Sequence, residues 1–293
     1  ESAQELAEST FVSRITSTIG EYCGKLAILI VAASIIGRCL LDSGAADRIV
    51  NSTLRLLGER MAPAAFVFSG FTLGIPVFFD TVFYLMIPLG KALRLRTGGN
   101  YLLYVLSIVA GGTMAHSLVP PTPGPLFIAE EFGVPIESMI LGGCIVGLFS
   151  ASIGMVYAFW INGRCELPLR DIADIPAAAR PGDHNAPGLF ASLVPIILPV
   201  VLITGGSLLN KSGDSFAFAG MTVSADVART IKTLSEKNLA LLISAAFAVV
   251  MYVRAKSPSK DQLSESLQHA IASAGPIILV TAAGGAFGRM MRQ

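Results

Sequence analysis

The chain has 293 residues, with 21 Lys and Arg against 20 Asp and Glu and a formal net charge of +1. Charged residues make up 14% and hydrophobic ones 53%, where a soluble domain carries about 25% charged residues. A core of this size inside a water-facing shell is therefore excluded, and no basic stripe with interleaved aromatics supports nucleic-acid binding.

The mean hydropathy of +0.67 reflects recurring uncharged windows. Residues 1–24 read as an amphipathic helix, with Val12, Ile15, Ile19 and Tyr22 on one face. The apolar run Leu26–Gly37 follows and ends in GRCLLDSGA, Gly37 to Ala45. There Arg38 and Asp42, four apart, share a helix face and are placed to pair, and Ser43-Gly44 has the form of a helix end. This break reads either as part of a site or as an ordinary boundary of a spanning helix.

Met61–Gly90 contains a single charged residue, Asp80, in GIPVFFDT, Gly74 to Thr81. Pro76 interrupts a helical hydrogen-bond ladder, and Gly74 admits close approach of another backbone or a ligand. An intramembrane carboxylate is costly and marks a candidate site. The competing reading is that Asp80 caps the following helix, with Thr81 beside it. The basic stretch Lys91–Arg96 comes next. Arg55 and Arg60 precede the window and this cluster follows it, so positive-inside counting puts both on the cytoplasmic side. Met61–Gly90 must then go in and come back, with the break at 74–76.

Tyr101–Ala129 is apolar and contains His116, followed by VPPTPGP, with four prolines in six residues. This stretch is expected to be extended rather than helical. It reads either as polar backbone offered to a ligand or as a rigid external loop. His116 reads as a proton-handling or a structural residue. The windows Ser138–Gly163, Asn185–Asn210, Asn238–Val253 and Ala270–Gly288 complete the set, most of them near the ~20 residues a spanning helix needs. Between them, Arg164, Arg170, Arg180, Arg254, Lys256 and Lys260 mark further cytoplasmic loops, and Glu130, Glu131 and Glu137 an external one.

ILIVAASIIGRCLLD (28–42) aligns with LVTAAGGAFGRMMRQ (279–293), matching Ala32 with Ala283, Gly37 with Gly288 and Arg38 with Arg289. Each copy follows an amphipathic stretch, the second carrying Leu263, Leu267 and Ile271. Two unrelated helices would also explain it. A repeat divides the chain into an amphipathic helix (1–24), a first repeat with connecting transmembrane helices (25–253), and an amphipathic helix with the start of a second repeat (254–293). The chain is then expected to be a piece of a longer protein at both ends. Such repeats with sites on broken helices occur in many secondary transporters.

The four cysteines show no metal-like spacing, and Cys39 and Cys144 sit in apolar runs as small hydrophobes. There is no nucleotide-binding loop, HExxH, GxSxG or paired-carboxylate signature. The expectation is a gradient-driven transporter and not an enzyme, with no cofactor or metal. The competing classes are a membrane sensor or scaffold that binds a carboxylate without moving it, and a membrane-embedded enzyme.

GRCLLDSGAADRI, GIPVFFDTVFYLMIPL, HSLVPPTPGPL and GGAFGRMM resemble the gluconate permease family across about Ser17–Gln293. The resemblance implies an all-α polytopic protein of the inner membrane that imports gluconate or a related sugar acid with a proton. Idonate, fructuronate, D-serine or sodium coupling remain alternatives. It further implies inverted repeats with re-entrant hairpins and broken helices, an elevator-type movement by analogy, and leaves a homodimer open. The residues expected to bind substrate are Ser43, Gly44, Gly74, Pro76, Asp80, Thr81, Pro121, Thr122 and Gly124. Asp80, then Asp42, then His116 are expected to couple the proton, because burial raises a carboxylate's pKa.

Overall fold

The structure is a computed structural model that describes residues 10–165, 186–211, 217–218, 221–222, 230 and 233–292. Residues 1–9, Arg170, Arg180 and Gln293 lie outside the described residues. Helix α1, Phe11–Asp42, starts at Thr10, whose hydroxyl accepts from the Ser13 amide at 3.2 Å. It ends at Ser43, and Gly44 takes the left-handed conformation at φ +77°, as a glycine after a helix end does. The amphipathic stretch continues into the apolar one without a break, so residue 24 is not an element boundary. Helix α2, Ala45–Leu57, buries Ala45, Ala46, Ile49 and Val50 and leaves Arg48 and Arg55 exposed. A 3-10 turn, Glu59–Met61, follows.

The next two helices are α3, Ala62–Gly74, and α4, Phe79–Thr97. At 1.5 Å per residue α3 is about 20 Å long, too short for a ~30 Å hydrocarbon core. Both pack on α5, Tyr101–Leu118. Along α3, Phe66 meets Tyr104, Gly70 faces the Ile108 carbonyl and Gly74 faces Gly112, so the two helices run parallel. Along α4, Phe79 meets Gly112 and Gly90 meets Tyr104, so α4 runs the other way. The pair is thus a hairpin with its tip at residues 75–78, in agreement with the expected in-and-back path.

After α5 the chain breaks at Val119–Thr122 and resumes as α6, Pro123–Phe132. This corrects the expectation that the proline block is extended throughout: Pro123, Gly124 and Pro125 form the first turn of α6. First-turn amides have no intrahelical acceptor, so prolines there cost no hydrogen bond. Helix α7, Ile136–Asn162, returns. Its buried face is small (Gly143, Gly147, Ala151, Ala158), and Ile145, Phe149, Ile153 and Val156 are exposed on the other, as suits a helix with one side to lipid. Helices α8 (Leu189–Lys211), α9 (Lys237–Lys256) and α10 (Lys260–Arg292) follow. A two-residue antiparallel pair, Ala217–Phe218 with Met221–Thr222, is the departure from all-helical structure among the described residues.

Helices α1 and α10 pack along their lengths. Asp42 meets Ser266, Gly285 lies against Tyr22, and Arg289 pairs with Glu21. The pair is therefore antiparallel. The main core gathers Leu26, Ile30 and Leu40 of α1, Phe66 and Leu73 of α3, Met86, Ile108 and Leu126. Among the described residues, five helical stretches are long and apolar enough to cross a membrane, with α5 and α6 together as one. The architecture is that of an all-α membrane protein.

Candidate functional site

The hairpin tip comes to rest against α1 because Gly37 has no side chain. A Cβ there would stand 3.1 Å from the Pro76 carbonyl oxygen and 3.4 Å from the Val77 Cα. From that contact Pro76, Pro120 and Pro121 converge on one cavity, whose wall also includes Leu29, Ile36 and Ile140. The two helix breaks, 45 residues apart in sequence by Pro76 and Pro121, therefore face each other across α1. The cavity holds about 20 Å³, room for one water. In this conformation it does not admit a sugar acid.

Asp80 lies in the first turn of α4 and is exposed. The cap position is Phe78, and no side chain caps the helix, so the capping reading of Asp80 is not observed. Its carboxylate still sits at the positive end of the helix dipole, where a negative charge is favoured. Asp80 is within electrostatic reach of His116. His116 stands edge-on to the Phe78 ring at 6.1 Å, and its buried Nδ1 has no hydrogen-bond partner among the described residues. The start of α4 and the end of α5 thus meet at Phe78 and His116, two residues before Asp80 and beside a helix break. Thr81 is half-buried next to them.

The remaining expected residues are placed otherwise. Asp42 accepts from Arg38 Nε at 2.8 Å, as the four-residue spacing predicts, and also from the Ser266 hydroxyl. Ser43 is fully buried, donates to the Leu40 carbonyl at 3.3 Å and accepts from the Ala45 amide at 3.3 Å. Its hydroxyl is therefore spent on joining α1 to α2. Thr122 is buried and donates to the Val119 carbonyl at 2.7 Å. Gly74 is packed against the Gly112 carbonyl, and a Cβ on Gly124 would meet open space. The structure brings Pro76 and Pro121 to one cavity, puts Asp80 on the turn of α4 that follows the Phe78–His116 contact, and leaves Ser43 and Gly44 at the α1–α2 corner.

Sequence reasoning missed two features. Gly37 is the seat of the hairpin tip, and its place in the aligned GR motif was the available signal. Lys237, the first residue of α9, pairs with Glu130 at the end of α6. A lone lysine heading an apolar run, with an acidic turn elsewhere in the chain, was the signal there.

A family model described as GntP family permease matches residues 3–293. An uncharacterized permease of Haemophilus influenzae is 31% identical over 293 residues, covering 96% of this chain and 58% of the relative. The gluconate permease of Zymomonas mobilis is 27% identical over 282 residues, covering 96% and 61%. The high-affinity gluconate transporter of Escherichia coli is 24% identical over 267 residues, covering 91% and 57%. The chain thus spans about three-fifths of the length of these relatives.

Proposed function

The chain belongs to the GntP family of permeases, and from that premise we propose that it moves gluconate or a related sugar acid across the inner membrane together with a proton. The observation that carries the substrate class is the run of gluconate-named relatives aligned over nearly the whole chain. The observation that favours proton coupling is Asp80 with His116 at a helix break.

Gluconate is a monoanion covered in hydroxyls. The start of α4 offers backbone amides without intrahelical acceptors and a positive dipole end to its carboxylate. Asp80 makes no hydrogen bond or ion pair among the described residues, whereas Asp42 is held by Arg38 and Ser266. Asp80 is therefore the first choice as proton carrier, His116 its partner, and Asp42 a structural tie. The one-water cavity between the breaks fits a state in which the path through the bundle is closed. Substrate entry then requires the hairpin tip, the α5–α6 break and α1 to separate. The antiparallel α1–α10 pair and the re-entrant hairpin support an inverted repeat moving as an elevator. A homodimer belongs to the same reading.

The test is Asp80→Asn in membrane vesicles. Uptake driven by a pH gradient is expected to lose accumulation, while downhill exchange of labelled for unlabelled gluconate continues. An Asp80→Asn protein that still concentrates gluconate in response to the gradient would sink the coupling role.

A further inference from the structure

Two hollows share a wall at the end of the bundle where α6 finishes. One is the apolar cavity between the helix breaks. The other is an open vestibule of about 500 Å³, lined in part by Glu130, Glu137 and Glu236. Ile136, Ile203 and Lys237 line both hollows. Lys237 is ion-paired with Glu130, and the two side chains are 29% and 21% exposed. Ile136, Ile203 and this pair therefore form the partition between the vestibule and the breaks.

Helix stability does not explain the placement of either charge. Lys237 opens α9, directly after the cap Glu236, which accepts from the Leu239 amide at 3.0 Å. A cation there faces the positive end of the dipole. Glu130 lies in the last turn of α6, where a carboxylate faces the negative end. Each charge is misplaced on its own helix and is compensated across the gap. Separation would leave two half-buried charges without each other, which is costly, unless another carboxylate takes the place of Glu130. The outer end of α6 is otherwise tied to α1 by Tyr22, whose hydroxyl donates to Glu131 at 2.6 Å. The Glu130–Lys237 pair and the Tyr22–Glu131 bond thus both act on the end of a ten-residue helix whose other end is the break itself.

We propose that Glu130 and Lys237 are the outer gate of the cavity at the helix breaks, and that opening passes Lys237 from the Glu130 carboxylate to the carboxylate of the entering substrate. The positive end of α9 adds to the lysine's pull on an anion. Glu130, Glu137 and Glu236 otherwise make this wall repel one, so Lys237 is what allows a carboxylate to settle there. The gate stands on the geometry alone. The hand-off rests on the substrate reading given above.

The experiment follows the labelling of Ile140→Cys, a residue of the inner cavity, by a water-soluble maleimide. The whole polypeptide, with Cys23, Cys39, Cys144 and Cys165 replaced by Ala, is held in nanodiscs that leave both faces open. Glu130→Gln and Lys237→Met are each expected to raise the labelling rate about tenfold, and the swapped pair Glu130→Lys with Lys237→Glu to restore slow labelling. The swap keeps the test valid if a single variant is poorly folded. Gluconate is expected to speed labelling of the parent and to have no effect in Lys237→Met. Unchanged rates in both single variants would overturn the gate. Faster labelling in the variants, with a parent that carries gluconate but is blind to it in labelling, would overturn the hand-off. A parent that neither carries gluconate nor responds to it in labelling would leave the gate standing and remove gluconate as its substrate.

Discussion

Asp80 and Asp47, 33 positions apart in sequence, show how differently two carboxylates are placed. Asp80 sits in the open at a helix start, two residues after the Phe78 that meets His116, and is the proposed proton carrier. Asp47 lies on α2, outside the spanning helices. Its Oδ1 is buried without a hydrogen-bond partner among the described residues, and burial pushes its pKa up to about 6, against a smaller opposing pull from Lys256. The folded state thus holds this proton more tightly than the unfolded chain, in which an Asp titrates near about 3.9. The stabilisation is present below that value and is lost as pH rises through about 6. Asp47→Asn is accordingly expected to raise Tm at pH 7.5 and to leave it nearly unchanged at pH 4 in detergent. A variant whose Tm offset is the same at both values would mean that Asp47 is not buried as described. At this scale the sequence marked Asp80 as a lone carboxylate beside a helix break but did not show which residue lies near it. His116 lies 36 positions away, and no local pattern encodes which turn of α5 meets the start of α4.

The element most legible from sequence was the hairpin. Gly-Ile-Pro supplied the break, and the basic residues on both flanks of Met61–Gly90 pointed to a chain that goes in and returns. What pattern reading could not supply is how closely the hairpin is held. Gly111 has its Cα so near α3 that a Cβ would fall 2.1 Å from the Val67 carbonyl oxygen, and at Gly143 one would fall 2.1 Å from the Leu118 carbonyl oxygen. Both obstacles are backbone and cannot rotate away. Gly111→Ala is expected to cost at least the ~1–3 kcal/mol typical of overpacking, seen as a lower Tm. Gly20→Ala meets open space and is expected to be neutral or slightly stabilising. Equal Tm for the two variants would contradict the packing of α3 on α5. The proline block was legible as a break but misjudged in extent. Proline forbids a helix interior and is welcome in a first turn, and composition alone does not say which of the two positions it holds.

For the whole molecule, the faint similarity between residues 28–42 and 279–293 acquires a geometry. Residues 28–42 and 279–292 belong to helices that lie side by side in opposite directions, each running unbroken from an amphipathic to an apolar part. Cysteine pairs test this directly. Glu21→Cys with Arg289→Cys is expected to cross-link readily. Glu21→Cys with Ser266→Cys is expected not to, because about 20 residues of helix separate position 21 from the Ser266 contact at Asp42, roughly 30 Å. The reverse result would make the pair parallel and remove the structural support for an inverted repeat. The meeting of Pro76 with Pro120 and Pro121 across α1 was not legible, since it depends on the packing of four elements at once.

The measurement that reaches the central claim is uptake of labelled gluconate by vesicles carrying the whole polypeptide, under an imposed inward proton gradient. Unlabelled fructuronate, idonate, D-serine and a dicarboxylate serve as competitors. The account predicts accumulation above the external concentration, abolished by collapsing the gradient and blocked by sugar acids alone. No uptake, or uptake indifferent to the gradient, would contradict it and would leave Asp80 and His116 without the role assigned to them.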